Sequence, residues 1–285
     1  MKIACFLYHK FTSADLINPI TVWQFVPGVE FEFIAAHKGP VETDTGLSYV
    51  ATHSYEDASP DPDVVFVPGG AKPTFDALSD QALLDAIARL GNNAKWVTSV
   101  CTGSLVLGAA GLLQGYRSAC HWYPRQMLTK FGAIPLDDRV VFDRNRASGG
   151  GVTAGMDFAL AMVGKWGGDS AGRLIELIVE YAPEPPYGSG RPELADAQTL
   201  AAASQLMASE FAESAADQAA LSYLAAGGVL TRSARGFYET ADRQGPRFPL
   251  ESIERLVDRR LARASEWIQS GAMQTPRPLR VEKLQ

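Results

Sequence analysis

The residues best suited to chemistry in this sequence cluster around one cysteine. Trp96 to Val100 is a short aromatic and β-branched run, and it passes through Cys101-Thr-Gly-Ser104 into a segment with Leu105, Leu107, Ala109, Leu112 and Leu113 at helical spacing. A cysteine on such a strand-to-helix turn meets free backbone N–H groups and the positive end of a helix dipole, and both favour a nucleophilic thiolate. Serine nucleophiles are raised on the same kind of elbow. On residue type alone a cysteine in an apolar run is a core residue; the turn is what points to reactivity. A proton carrier would have to come from elsewhere in the chain. Asp15 is one candidate, in the loop His9 to Pro19, although an aspartate at such a boundary is commonly a helix cap or a solvated carboxylate. His121 is another, but it adjoins Cys120 in Arg117 to Tyr123, which reads as a strand. Neighbouring side chains on a strand point to opposite faces, so Cys120 is assigned to the core and His121 to the surroundings of the elbow.

The elements that must position these groups follow the pattern of an α/β domain. Ile3 to Tyr8 and Asp63 to Val67 are short continuous apolar runs, as expected of strands covered on both faces, and Phe31 to Ala35 is a further strand. Asp15 follows the first run, Gly69-Gly70 ends the run from Asp63, and Cys101 follows Trp96 to Val100. Ligands in open α/β sheets bind beyond such carboxyl ends. The glycine pair can form an anion-binding nest of backbone N–H groups or a plain tight turn. Leu47 to Thr52 alternates as a hairpin strand, Gln81 to Leu90 is an amphipathic helix, Arg139 to Asp143 is a strand, and Ser170 to Glu180 is a helix. Ala147 to Asp157 is a glycine-rich turn opening a helix to about Trp166. Its Gly149, Gly151 and Gly155 have the wrong spacing for a dinucleotide fingerprint, so Gly150 and its neighbours are expected at a close backbone approach to the pocket edge.

Pro183 to Pro192 is a linker, dividing the chain into an α/β domain at 1–190 and an extension at 191–285. The extension gives helix signals only, over Glu193 to Ala212, Ala219 to Ala226, Ser233 to Arg243 and Pro249 to Ser270. The 285 residues are 46% hydrophobic and 20% charged, as in an ordinary globular protein, with a net charge of -6 that disfavours general nucleic-acid binding. Three cysteines at positions 5, 101 and 120 make neither a disulfide framework nor a zinc pattern and fit a reducing cytoplasm. No apolar stretch is long enough for a membrane span or a signal peptide.

With these features in place, the first 190 residues resemble the ThiJ/PfpI superfamily and, within it, the isocyanide hydratases. The resemblance rests on Val97 to Gln114, Val67-Pro-Gly-Gly70, His121-Trp122, Gly149 to Asp157 and Glu180-Tyr-Ala-Pro183. It implies a flavodoxin-like three-layer sandwich with a mostly parallel sheet, a homodimer, no cofactor or metal, and a small-molecule substrate. It also implies that Cys101 is the nucleophile, Asp15 the acid and base, and Thr102 a catalytic neighbour. Many superfamily peptidases carry histidine where Thr102 stands, which counts against peptidase activity. Hydratases typically read Asp-Leu-Thr-Gly-Pro where this chain has Asp15-Leu-Ile-Asn-Pro19, so Ile17 and Asn18 are expected to alter the pocket wall. The extension is a second departure. Two other functions compete. In a transcription regulator, such a domain is joined to an AraC-type DNA-binding tail. Leu221 to Gly228, Thr231 to Phe237 and Arg260 to Ala264 fit that reading, whereas the stretch 241–249 and the neutral charge of the tail do not. In a redox or reactive-carbonyl protein, Cys101 would be the oxidisable thiol.

Overall fold

The computed structural model describes residues 1–208, 229–232, 237–240, 247–249, 262–268 and 277–283. The apolar runs become strands: β1 (Lys2–Phe6), β2 (Glu30–Ala35), the hairpin β3 (Gly39–Glu42) and β4 (Ser48–Ala51), the short β5 (His53–Ser54), and β6 (Val64–Val67). Helix α1 (Ser13–Trp23) follows β1, and α2 (Lys72–Ala77) and α3 (Gln81–Asn93) follow β6. Next come β7 (Trp96–Val100), α4 (Gly103–Ala109), the short β8 (Arg117–Ser118) and β9 (Ile134–Pro135), the hairpin β10 (Val140–Asp143) and β11 (Arg146–Gly149), and the helices α5 (Ala154–Gly167) and α6 (Asp169–Ile178).

Seven strands form the main sheet in the order β10-β11-β7-β6-β1-β2-β5. All neighbours are parallel except the β10–β11 hairpin. From β1 the chain moves outward to β2 and then returns to the other side of β1 for β6 and β7. That reversal leaves a crevice at the carboxyl ends of β1, β6 and β7, the topological switch point of an α/β sheet. Strands β1, β6 and β7 are almost wholly buried, as their unbroken apolar sequences require. Trp23 is fully buried between α1 and α5, with Phe66, Phe158 and Trp166 at ring-centroid distances of 5.4, 5.6 and 5.5 Å. Its indole N–H donates to the Ala159 carbonyl at 3.2 Å, tying the two helices together.

By contacts the chain divides into two compact units, Met1–Ser204 and Gln205–Gln285. Residues 191–204, grouped by sequence with the extension, therefore belong to the first unit. Arg191 reaches back to Asp137 at 3.3 Å. The expected helix from Glu193 to Ala212 is present as α7 over 197–208. Farther on, the described residues depart from the helical expectation. Strands β12 (Leu230–Arg232), β13 (Phe237–Thr240), β14 (Arg247–Pro249), β15 (Ala262–Ile268) and β16 (Arg277–Lys283) form a sheet in the order β14-β13-β12-β16-β15. In β16, Leu279 and Val281 alternate with Arg280 and Glu282, a period of two. In β15 the Ala, Arg and Glu residues have helical propensity, and strand pairing overrides it. The helix expected over Ala219 to Ala226 lies outside the described residues. No helix among the described residues is long and apolar enough to cross a membrane.

Candidate active site

Cys101 occupies the elbow between β7 and α4 with a φ of 59°, a left-handed conformation that is uncommon for a side-chain-bearing residue. The turn is held by its N–H, which donates to the Gly150 carbonyl at 2.7 Å. Strain of this kind, held in place by surrounding structure, is concentrated at functional sites. Asp15 lies in the first turn of α1 rather than in the preceding loop, and it is neither capping nor solvated: its exposure is 0%. The Gly69 N–H donates to Asp15 Oδ2 at 3.0 Å, while Oδ1 is buried with no hydrogen-bond partner by geometry. The Cys101 thiol bears on the same carboxyl, lowering the carboxyl pKa and raising its own.

Burial dominates the electrostatics. Loss of hydration, aided by Asp44, raises the Asp15 pKa to about 7 against the pull of the Gly69 amide and the thiol. Cys101, 4% exposed, is pushed well above the usual thiol range, first by burial and then by the charge of Asp15. The Thr102 N–H does favour the thiolate, as the elbow suggested, but it is outweighed. The expectation of a resting thiolate is therefore replaced by a thiol beside a carboxyl poised near neutrality, an arrangement suited to moving one proton back and forth.

Of the two readings of the glycine pair, a vacant anion nest does not hold, because both amides are already engaged. Gly69 N–H holds Asp15, and Gly70 N–H donates to Thr102 Oγ1 at 3.0 Å. Glycine is required at 69 by space: a Cβ there would lie 2.6 Å from the Thr102 nitrogen and 2.7 Å from both Asp15 Oδ2 and Thr102 Oγ1. Gly150 lies at the edge of a cavity of about 200 Å³ whose walls include Cys120, His121, Trp122, Arg139 and Val152. Cys101 and Asp15 are not in those walls, but the Cys101 N–H donates to the carbonyl of Gly150, which is.

His121 lines that cavity, but β8 ends at Ser118, and residues 119–124 form an irregular turn. The strand alternation used to separate Cys120 from His121 therefore does not apply. Cys120 is buried as expected, with its pKa raised to about 12 by burial. His121 is lowered by burial and by Arg125, which keeps the imidazole neutral, and its Nδ1 accepts from the Tyr123 N–H at 3.4 Å. Ile17 is 39% exposed and lines neither this cavity nor the larger groove. Residues two apart on a helix face apart, which turns Ile17 away while Asp15 is buried. Asn18 lines the groove, of about 800 Å³, and its Nδ2 donates to the Val152 carbonyl at 3.3 Å. Sequence reasoning missed Thr74 and Tyr8, whose hydroxyls continue the network from Thr102. Neither stands in a motif, and only the position of Tyr8 at the end of the first apolar run gave any signal. Among the described residues, no group of three or more His, Cys, Asp or Glu side chains is placed to hold a metal.

A family model described as the DJ-1/PfpI family matches residues 1–165, more than half of the chain. The chain belongs to the DJ-1/PfpI family. Among its relatives, the isonitrile hydratase of Pseudomonas putida is 42% identical over 222 residues, 76% of this chain and 96% of that one. A crystal structure of a ThiJ/PfpI family protein from Pseudomonas syringae superposes with a TM-score of 0.73 at 40% identity, covering 75% of this chain and 88% of that one. The HTH-type transcriptional regulator GbdR of Pseudomonas aeruginosa is 36% identical over 128 residues, but these make up only 34% of its length. Residues 1–190 are two thirds of the chain, so a match to 76% of it extends beyond them. Part of the segment read as an addition to the hydratase pattern is thus shared with the Pseudomonas putida protein.

Proposed function

We propose that this DJ-1/PfpI protein hydrates isocyanides to N-substituted formamides. The observation that carries the reading is the enclosed Asp15–Cys101 pair, with the carboxyl pKa near 7, in a chain that matches an isonitrile hydratase over 96% of that protein's length. Asp15 takes the thiol proton as the sulfur adds to the terminal isocyanide carbon, and then delivers it to that carbon. The product is a thioimidate, Cys101–S–CH=N–R. Water next adds across the C=N bond, with Asp15 accepting a proton from it and passing that proton to the nitrogen. Collapse of the adduct breaks the C–S bond, releases R–NH–CHO and returns a proton to sulfur. One isocyanide and one water give one formamide, and the enzyme is restored. Thr102 borders the same carboxyl, and the cavity bounded by Gly150, Val152 and His121 would receive the R group. The enzyme would act as a homodimer, and sedimentation at micromolar concentration tests that assembly.

Incubation with phenyl isocyanide and mass spectrometry for N-phenylformamide tests the reading. Wild type should form it catalytically and Cys101→Ala should not; equal turnover by the two proteins would remove Cys101 from the mechanism. The match to GbdR favours a second reading, a transcription regulator. Against it, Leu230–Arg232 and Ala262–Ile268, which overlap the stretches Thr231 to Phe237 and Arg260 to Ala264 that fit that reading, lie in strands. Sequence-specific retardation of promoter DNA at low salt would support the regulator.

A further inference from the structure

Hydroxyl and backbone groups link Thr102 to the turn that follows β6. The Gly70 N–H donates to Thr102 Oγ1 at 3.0 Å, Thr102 Oγ1 lies 2.6 Å from Thr74 Oγ1, Thr74 Oγ1 lies 3.3 Å from the Tyr8 hydroxyl, and that hydroxyl donates to the Pro68 carbonyl at 3.0 Å. Thr74, Thr102 and Tyr8 are all buried. The Pro68 carbonyl takes the Tyr8 proton, and the arrangement that fills both remaining contacts then runs in one direction. With Tyr8 donating to Pro68, the Tyr8–Thr74 contact is filled only by the Thr74 proton, and the Thr74–Thr102 contact only by the Thr102 proton. In the opposite arrangement Thr74 donates to Thr102. The Tyr8–Thr74 contact is then empty, and a buried Thr102 proton has no acceptor among its hydrogen-bond partners, an unfavourable outcome for a buried polar group.

We infer that Thr74 and Tyr8 are positioning residues that draw the Thr102 proton away from the reaction site, so that Thr102 presents a lone pair beside Asp15. Thr102 therefore accepts a hydrogen bond, which places one O–H of the attacking water while Asp15 takes its other proton. This role rests on the hydration reading above. The geometry permits it: the contact distances at Gly69 place Asp15 Oδ2 and Thr102 Oγ1 each 2.7 Å from the same point, so they lie within twice that distance of each other. The other titratable groups acting on this cluster are Cys101, Tyr8, Asp44 and Cys120.

The test compares full-length Thr74→Val, Thr74→Ser and Tyr8→Phe with wild type, using phenyl isocyanide as substrate. In Thr74→Val the Thr102 proton loses its acceptor and turns toward Asp15. The expected result is a fall in kcat of about tenfold with KM within about twofold, and an acid limb of kcat/KM moved down by about half a pH unit or more. Thr74→Ser keeps the hydroxyl and should restore both values. Tyr8→Phe frees the Thr74 proton to turn toward Thr102 and should shift the limb in the same direction by less. This variant keeps the test decisive if Thr74→Val fails to fold. Unchanged kcat and pH profile in folded Thr74→Val, or in Tyr8→Phe where Thr74→Val does not fold, would overturn the assignment; so would failure of folded Thr74→Ser to restore them. If wild type does not hydrate phenyl isocyanide, the functional reading fails on its own. The proton direction is then read from alkylation of Cys101 by iodoacetamide, whose Asp15-dependent step should move down in Thr74→Val and not in Thr74→Ser. Identical profiles would refute it.

Discussion

Asp15→Asn should stabilise the fold at neutral pH while abolishing hydration. In the unfolded chain the carboxyl titrates near 3.8, and in the folded protein its pKa is raised to about 7. Below both values the proton is held in both states, and the carboxyl contributes no ionisation penalty. Between them the unfolded chain releases the proton while the folded site keeps it, so stability falls as pH rises; above about 7 the full penalty applies. A difference of this size corresponds to about 4 kcal/mol, of which about 3 kcal/mol develops between about pH 5 and about pH 8. Asparagine retains an oxygen for the Gly69 N–H and places an amide where the unpartnered Oδ1 lies. Urea unfolding followed by tryptophan fluorescence is a suitable assay, because Trp23, Trp96, Trp122 and Trp166 all lie in the first unit. The stability of Asp15→Asn relative to wild type should rise by about 3 kcal/mol between about pH 5 and about pH 8, with titration of the other groups cancelling in the difference. Parallel profiles for the two proteins would refute the claim that burial sets the proton affinity of this carboxyl.

Gly69→Ala would put a methyl group against the Thr102 backbone nitrogen and the Asp15 carboxylate, so it should lower stability by about 1–3 kcal/mol and reduce turnover at least about tenfold, measured by urea unfolding and formamide production. Asn18→Gly removes the hydrogen bond to the Val152 carbonyl and adds a flexible residue within α1, so it should cost about 1–2 kcal/mol on denaturation while phenyl isocyanide hydration persists. A chain ending at Ser204 keeps the first part of α7 and should fold and retain turnover, whereas one ending at Pro192 loses the whole helix and should show a lower melting temperature; equal melting of the two would place the end of the first unit earlier.

The parts of this fold legible in the sequence are those determined by neighbours along the chain. The runs that became β1, β6 and β7 are apolar without interruption, the hairpin strand at Ser48–Ala51 alternates, and the elbow is spelled by a β-branched run, a polar turn and a helix-spaced run. Each feature sits at the carboxyl end of its strand, and the adjacency of those strands brings them together. The partners of these groups were not legible. The pairing of Gly69 with Asp15 spans 54 positions, and Thr74 reaches Thr102 across 28. No pattern in either segment specifies such a meeting, which depends on how α1 and α2 pack over the sheet. Arg117 to Tyr123 reads as a strand, yet the chain turns after Ser118. In β15, pairing with β16 outweighed the helical propensity of alanine and arginine.

The site also changes what the elbow contributes. The sequence suggested that helix-end amides ionise the sulfur; in the folded chain the Thr102 amide does favour the thiolate, but burial and the charge of Asp15 outweigh it, and burial favours the neutral form of Asp15 as well. A permanently ionised thiolate would be exposed to oxidation. A thiol that ionises only when a substrate carbon is present and Asp15 can take its proton avoids that exposure, and the transferred proton is the one the carbon needs next. The same enclosure separates the hydratase reading from the redox reading. If Cys101 acted as a peroxide sensor, its reactivity should follow thiolate content in the resting protein. If it acts as proposed, thiolate absorbance of the resting protein at neutral pH should be low in wild type and higher in Asp15→Asn, where the carboxylate charge that opposes ionisation is gone. More thiolate in resting wild type than in Asp15→Asn would mean that the carboxylate holds Cys101 ionised before substrate arrives, and the proton economy argued for this pair would not stand.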